Sequence, residues 1–174
     1  MGMTGAGKSE VSTVFEENGF IRIRFGDVTD KEIEKRGLEL NEENERYIRE
    51  FLRKGYGMAA YAKLSVPRID HLLESADVIL DGLYSWEEYT LLKDRYGHRF
   101  TVVAVWASPE TRYQRLTKRQ VRPLTIEEAI SRDVAEIENI NKGGPIAMAN
   151  FTIINESSIE NLERDTKRVI NGLK

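Results

Sequence analysis

Short apolar runs and charged, amphipathic stretches alternate along this chain from one end to the other. Over residues 8–18, Val11, Val14 and Phe15 recur at helical spacing, and Asn18-Gly19 supplies a stop. Residues 20–25 then switch to a period of two. Ile21, Ile23 and Phe25 point one way and Arg22 and Arg24 the other, which predicts a strand with one wet face at a sheet edge. Thr29 with Glu32 reads as a capping box for a short helix ending at Gly37. Asn41 is placed to cap the next, with Ile48, Phe51 and Leu52 at helical spacing, and Gly55-Tyr56-Gly57 breaks it. A helical pattern resumes over 58–75, where Pro67 predicts a kink or a restart.

The second half repeats the alternation. Residues 77–81, DVILD, form a short apolar run bounded by acids and read as a buried parallel strand. TVVAVW at 101–106 and FTII at 151–154 read as further strands. Between and after them come helix starts with recognisable chemistry. Ser85 with Glu88 opens 86–95, Ser108-Pro109 opens the next helix, Thr125 with Glu128 opens about 126–140, and Ser157 with Glu160 opens the C-terminal one. Gly143-Gly144-Pro145 predicts a sharp turn. Strands alternating with capped helices are the signature of an α/β sheet covered by helices on both faces. The length, 174 residues, suits one domain.

The stretch that gives this frame a function is the first nine residues, MGMTGAGKS. Gly2, Gly7, Lys8 and Ser9 satisfy the phosphate-loop spacing G-x-x-x-x-G-K-[ST]. Gly2, Gly5 and Gly7 let the backbone turn and approach a phosphate, so that successive N–H groups form an anion-sized nest. Lys8 is placed to reach β- and γ-phosphates and the Ser9 hydroxyl to ligand Mg²⁺. The helix that follows directs its positive end at the same anion.

Composition narrows the remaining choices. With 26 Lys and Arg against 29 Asp and Glu, the net charge is −3, which argues against bulk nucleic-acid binding. The absence of cysteine excludes disulfides, thiolate metal sites and a cysteine nucleophile. No apolar run reaches membrane-spanning length and no signal peptide is present, so the expectation is a cytoplasmic protein. Asp81 ends an apolar strand before Gly82, where a carboxylate can serve Mg²⁺ directly or through water. Asp27 also follows a strand and is placed to take or orient the proton of an attacking hydroxyl, with Asp30 its weaker rival. Arg112, Arg115, Lys118, Arg119 and Arg122 cluster within one segment, with Arg115, Arg119 and Arg122 spaced to share a helix face and Arg132 following on the next helix. Such always-charged donors suit a mobile segment that closes over a transferring phosphoryl group. Asn155, just past the last strand, is a candidate adenine contact or a turn residue. His71 and His98 read as surface residues.

GMTGAGKS at 2–9, Asp27, VILDG at 78–82, RLTKR at 115–119, SRD at 131–133 and AMANFTIINESSIENL at 147–162 together resemble the nucleoside-monophosphate-kinase-like branch of P-loop proteins. Within it the chain is most similar to dephospho-coenzyme A kinases and to archaeal adenylate-kinase-like proteins of unassigned activity. The resemblance implies a three-layer αβα P-loop kinase fold, a parallel sheet of order 2-3-1-4-5 and a single domain over 1–174. It also implies an acceptor-binding helical region around 28–75 and a lid around 118–131. It implies ATP and Mg²⁺ as cofactors, with Gly2, Thr4, Gly5, Ala6, Gly7, Lys8, Ser9, Glu10 and Asn155 toward the nucleotide, and Ser9 and Asp81 toward the metal. Lys8, Asp27 and the lid arginines Arg119 and Arg132 take the catalytic positions. The implied order puts a strand ahead of the phosphate loop, where only Met1 stands, so the expectation is a first strand supplied from an upstream start or lost by trimming. The implied function is transfer of the γ-phosphoryl group to a nucleotide-like acceptor, either dephospho-coenzyme A or a nucleoside monophosphate. The other reading is a non-catalytic or slowly hydrolysing nucleotide-binding regulator. In its favour, residues 28–57 are highly charged and do not match the acceptor region of a dephospho-coenzyme A kinase.

Overall fold

The computed structural model describes residues 1–120 and 123–173. Arg122, expected on a basic face with Arg115 and Arg119, lies outside the described residues, as does position 121 of the expected lid. Along the chain run α1 (Lys8–Glu17), β1 (Ile21–Arg24), α2 (Gly26–Lys35), α3 (Glu42–Tyr56), α4 (Ala60–Leu72), β2 (Val78–Asp81) and α5 (Trp86–Tyr96). After a short 3-10 turn come β3 (Val103–Trp106), α6 (Pro109–Thr117), α7 (Ile126–Glu138), α8 (Gly143–Ala147), β4 (Phe151–Ile154) and α9 (Ile159–Leu173). Two compact units result: residues 19–100, and Met1–Asn18 with the chain from Thr101 onward. Among the described residues the strands form two parallel pairs, β1 with β2 and β3 with β4. These are the 2-3 and 4-5 neighbours of the expected order.

In the unit formed by residues 19–100, β1 pairs with β2 in the register Ile21↔Val78 to Arg24↔Asp81. Ile23 and Phe25 are buried as the alternation requires. Arg22 does not point to open water, because its guanidinium is tied to the Asp81 carboxylate. The expected capping box at Thr29 and Glu32 does not form. α2 starts at Gly26, immediately after the strand, and Thr29 lies within it with its hydroxyl bonded to the Tyr61 hydroxyl at 2.7 Å. A side chain committed to a buried partner cannot also cap. Asn41 does cap α3, accepting from the Asn44 N–H at 2.9 Å. Ile48 and Leu52 are buried, whereas Phe51 lies at the surface under the Arg36 guanidinium, 4.0 Å from its ring centroid. α4 runs unbroken through Pro67, so the expected restart does not occur. The carbonyl that Pro67 leaves without a helical donor is that of Lys63, an exposed residue. The Ser85–Glu88 capping box opens α5 as expected.

In the other unit, β3 pairs with β4 in the register Val103↔Phe151 to Trp106↔Ile154, and α1 packs on α9. Successive residues of a strand bond to opposite edges. Val102 and Trp106 accept from Phe151 and Asn155 on one edge, and Val103 and Val105 bond Met1 on the other. Met1 thus lies alongside β3 and delivers the chain into the phosphate loop. Ser108 caps α6, and Thr125 with Glu128 forms the capping box of α7. The C-terminal helix is capped one residue later than expected, by Ser158, which accepts from the Asn161 N–H at 3.4 Å. Gly143-Gly144-Pro145 is the start of the short helix α8 rather than a sharp turn. No helix among the described residues is long and apolar enough to cross a membrane.

Candidate phosphate-binding site

The phosphate loop owes its shape to backbone that only glycine adopts without strain. Gly5 and Gly7 hold φ of 85° and 96°, and Gly7 is the residue from which α1 springs. The first N–H groups of an α-helix have no acceptor within the helix, and this end of α1 follows directly from the loop. The Lys8 ammonium bridges the loop, donating to the Met3 carbonyl at 3.0 Å. Ser9 and Glu10 are exposed at the head of the helix. Gly2 is pressed against β3, where a methyl group would lie 2.2 Å from the Val105 carbonyl oxygen.

A set of buried polar side chains grips the loop from behind. Asn155 donates from Nδ2 to the Ala6 carbonyl at 2.9 Å, and its backbone N–H goes to the Trp106 carbonyl at 2.7 Å. Arg115 in turn donates to the Asn155 carbonyl at 2.9 Å, and its Nη1 is buried with no hydrogen-bond partner among the described residues. Arg112, grouped by sequence with the basic residues of a closing segment, is instead buried at 4% exposure. It forks onto Asp133 at 2.8 and 2.6 Å and donates to the Thr4 carbonyl at 3.1 Å and the Ala107 carbonyl at 3.1 Å. The Thr4 hydroxyl donates to Glu136 Oε1 at 2.7 Å, and Lys142 donates to Glu136 Oε2 at 2.6 Å. Burial pushes the Glu136 carboxyl up, but Lys142, the Thr4 hydroxyl and nearby Lys8 outweigh it and hold it below the ordinary range. Burial likewise lowers the Lys142 ammonium, against the pull of Glu136. Arg132 is exposed on α7 with Nε 3.6 Å from Glu136 Oε1, and Arg119 is exposed beyond the end of α6.

The unit of residues 19–100 holds the other two expected carboxylates. Asp27 sits in the first turn of α2, with Arg24 at 3.8 Å and Arg68 at 3.6 Å. It lines a cavity of about 320 Å³ whose wall also carries Lys31, Lys35 and Glu32 over a floor that includes Leu52 and Leu64. Cations outnumber acids in that wall. Asp81 ends β2 with its carboxylate held by Arg22.

Sequence reasoning reached the loop and its lysine because they are contiguous. Glu136, Lys142 and Asp133 were given no role, and Arg112 was read with the basic segment around 112–122. Each is a charged residue in a helical or turn context, for which solvent is the default partner, and no local signal marks it as buried.

Fold and site define a P-loop kinase-like α/β protein. A family profile described as an AAA domain matches residues 1–139. A UPF0200 protein of Thermococcus kodakarensis is 35% identical over 176 residues, covering 99% of this chain and 95% of the relative. Another, of Thermococcus gammatolerans, is 37% identical over 180 residues, covering 99% and 94%. Among solved structures, TT1252 from Thermus thermophilus superimposes with a TM-score of 0.65 at 21% identity, covering 99% of this chain and 95% of that one. Shikimate kinase from Bacteroides thetaiotaomicron does so with a TM-score of 0.60 at 14% identity and the same coverage. The chain belongs to the UPF0200 family and, over its first 139 residues, to the AAA domain family.

Proposed function

We propose that this protein is an ATP- and Mg²⁺-dependent small-molecule kinase that moves the γ-phosphoryl group onto a hydroxyl or phosphate of a nucleotide-like, anionic acceptor. The observation that carries the reading is the loop itself. Two left-handed glycines lead into the N-terminus of α1, and a lysine already spans the cradle. That arrangement supplies donors to a phosphate chain without reorganisation. Arg119 and Arg132 are exposed arginines available to the same anion. The solved kinases that share the fold support phosphoryl transfer as the chemistry; their acceptors belong to them.

Mg²⁺ takes oxygen ligands and keeps phosphates and water among them. The Ser9 hydroxyl and the Asp81 carboxylate have the right donor chemistry, although Asp81 is paired with Arg22 here. Brought in with ATP, Mg²⁺ would offset charge on the phosphate oxygens. Asp27 is the proposed base. Arg24 and Arg68 stand beside it, and its cavity is of small-molecule size with a cationic wall. A phosphate-bearing acceptor such as dephospho-coenzyme A or a nucleoside monophosphate fits that charge.

The test is ADP release from ATP in the presence of nucleoside monophosphates, dephospho-coenzyme A and small hydroxylated metabolites. One acceptor should raise the rate. Lys8→Ala should lower that rate about 10²–10³-fold. Asp27→Asn should lower turnover while ATP affinity stays near that of the wild type. A nucleotide-binding regulator would bind ATP yet release little ADP with any acceptor, and wild-type turnover in Lys8→Ala would end the kinase reading.

A further inference from the structure

Thr4 is held through both its backbone and its side chain. Its carbonyl accepts from Arg112 at 3.1 Å and its hydroxyl donates to Glu136 at 2.7 Å. Glu136 is one turn from Arg132 on α7, and its two oxygens have different partners. Oε2 belongs to Lys142, a side chain only 1% exposed and with no route to solvent. Oε1 is shared between the Thr4 hydroxyl and the Arg132 guanidinium, which stands at 3.6 Å and is 53% exposed. The first pairing is fixed by burial. The second is a half-solvated ion pair of the kind that contributes little and exchanges readily.

We infer that Glu136 is a positioning residue for the phosphate loop: it fixes the loop through the Thr4 hydroxyl and keeps Arg132 beside the loop until a phosphate takes that arginine over. The inference rests on the reading of this loop as the site for ATP phosphates. Its physical logic is a division of charge. Lys142 neutralises Glu136 permanently, so Arg132 leaves without stranding a buried carboxylate. A phosphate offers Arg132 a bidentate, more highly charged partner than half of a shared carboxylate oxygen. The Thr4 bond stays in place throughout, so the donors around the phosphate do not relax as the arginine moves.

The test measures affinity for ATP by calorimetry, alongside thermal unfolding, for the wild type, Thr4→Val, Thr4→Ser and Glu136→Asp. Thr4→Val keeps the side-chain shape and removes only the hydroxyl. The freed loop then holds its phosphate-ready shape only part of the time, so ATP binding should weaken about 10-fold, while the melting temperature falls by only a few degrees. Thr4→Ser should recover most of the loss. Glu136→Asp keeps a charge for Lys142 but withdraws the carboxylate from Thr4 by one methylene, and should reproduce the loss even if Thr4→Val folds poorly. Wild-type affinity in both Thr4→Val and Glu136→Asp, with stability alone reduced, overturns the proposal and leaves the kinase reading intact. A wild-type chain that does not bind ATP overturns both.

Discussion

Replacing Gly7 by alanine puts two separable costs on one atom. The first is conformational. At φ 96° and ψ 25° an L-residue is strained by about 1–2 kcal/mol. The second is steric. The new methyl would lie 2.3 Å from Asn155 Nδ2 and 3.5 Å from its Cγ, with Leu162 Cδ2 at 3.7 Å behind. Asn155 cannot simply turn away. Its amide holds the Ala6 carbonyl and its own carbonyl is held by Arg115. Breaking the Ala6 bond strands a buried acceptor, at about 1–3 kcal/mol. Gly7→Ala should therefore cost about 2–5 kcal/mol locally. On the proposed reading of the loop as the ATP site, most of that should appear as lost ATP affinity, measured by calorimetry with melting temperature as the control. The two costs separate in an Asn155→Ala background. There the added methyl meets no amide, so the further loss from Gly7→Ala should fall to the conformational part, about 1–2 kcal/mol. Equal losses in the two backgrounds would show that Asn155 does not constrain Gly7, and wild-type affinity in Gly7→Ala would refute the loop geometry altogether.

Two further outcomes concern stability. Asp133→Ala leaves Arg112 buried without its carboxylate and should destabilise by about 3–5 kcal/mol in chemical denaturation, whereas Arg112→Met with Asp133→Leu should recover part of that. Recovery should stop short of the wild type because the Thr4 and Ala107 carbonyls still lose their donor, and a single Asp133→Ala variant as stable as the wild type would contradict the pairing. Glu88, fully buried at the head of α5, has one carboxyl oxygen without a partner among the described residues, and burial pushes its carboxyl up to about 7 from 4.5 despite the amides of Tyr84 and Ser85 and the charge of Arg53. The folded chain then holds a proton that the unfolded chain has released, so this contribution is complete below about pH 4.5 and is lost as pH rises to about 7, at most about 3 kcal/mol. Glu88→Gln, which mimics the protonated acid, should flatten stability against pH over that window, and an unchanged slope would reject the assignment.

The sequence by itself determined what depends on neighbours a few residues apart. The phosphate loop is eight consecutive residues, and its glycines specify their own backbone. The caps at Asn41, Ser85, Ser108 and Thr125 bond within three residues, so their pattern is enough to find them. Only the tertiary structure decided which face of a helix turns inward. α7 shows this most plainly. Its period is evident, with Ile126, Ile130, Val134 and Ile137 along one side, and that side should face a core. In the folded chain those four are exposed, and the opposite face, with Ala129, Asp133 and Glu136, is buried. Periodicity records the spacing of a face but not what waits opposite it. Here the partners are Arg112, Thr4 and Lys142, brought from three separate parts of the chain to satisfy two carboxylates that water would otherwise hold. Thr29 follows the same rule on a smaller scale, since its hydroxyl was free to cap a helix until folding brought Tyr61 to it.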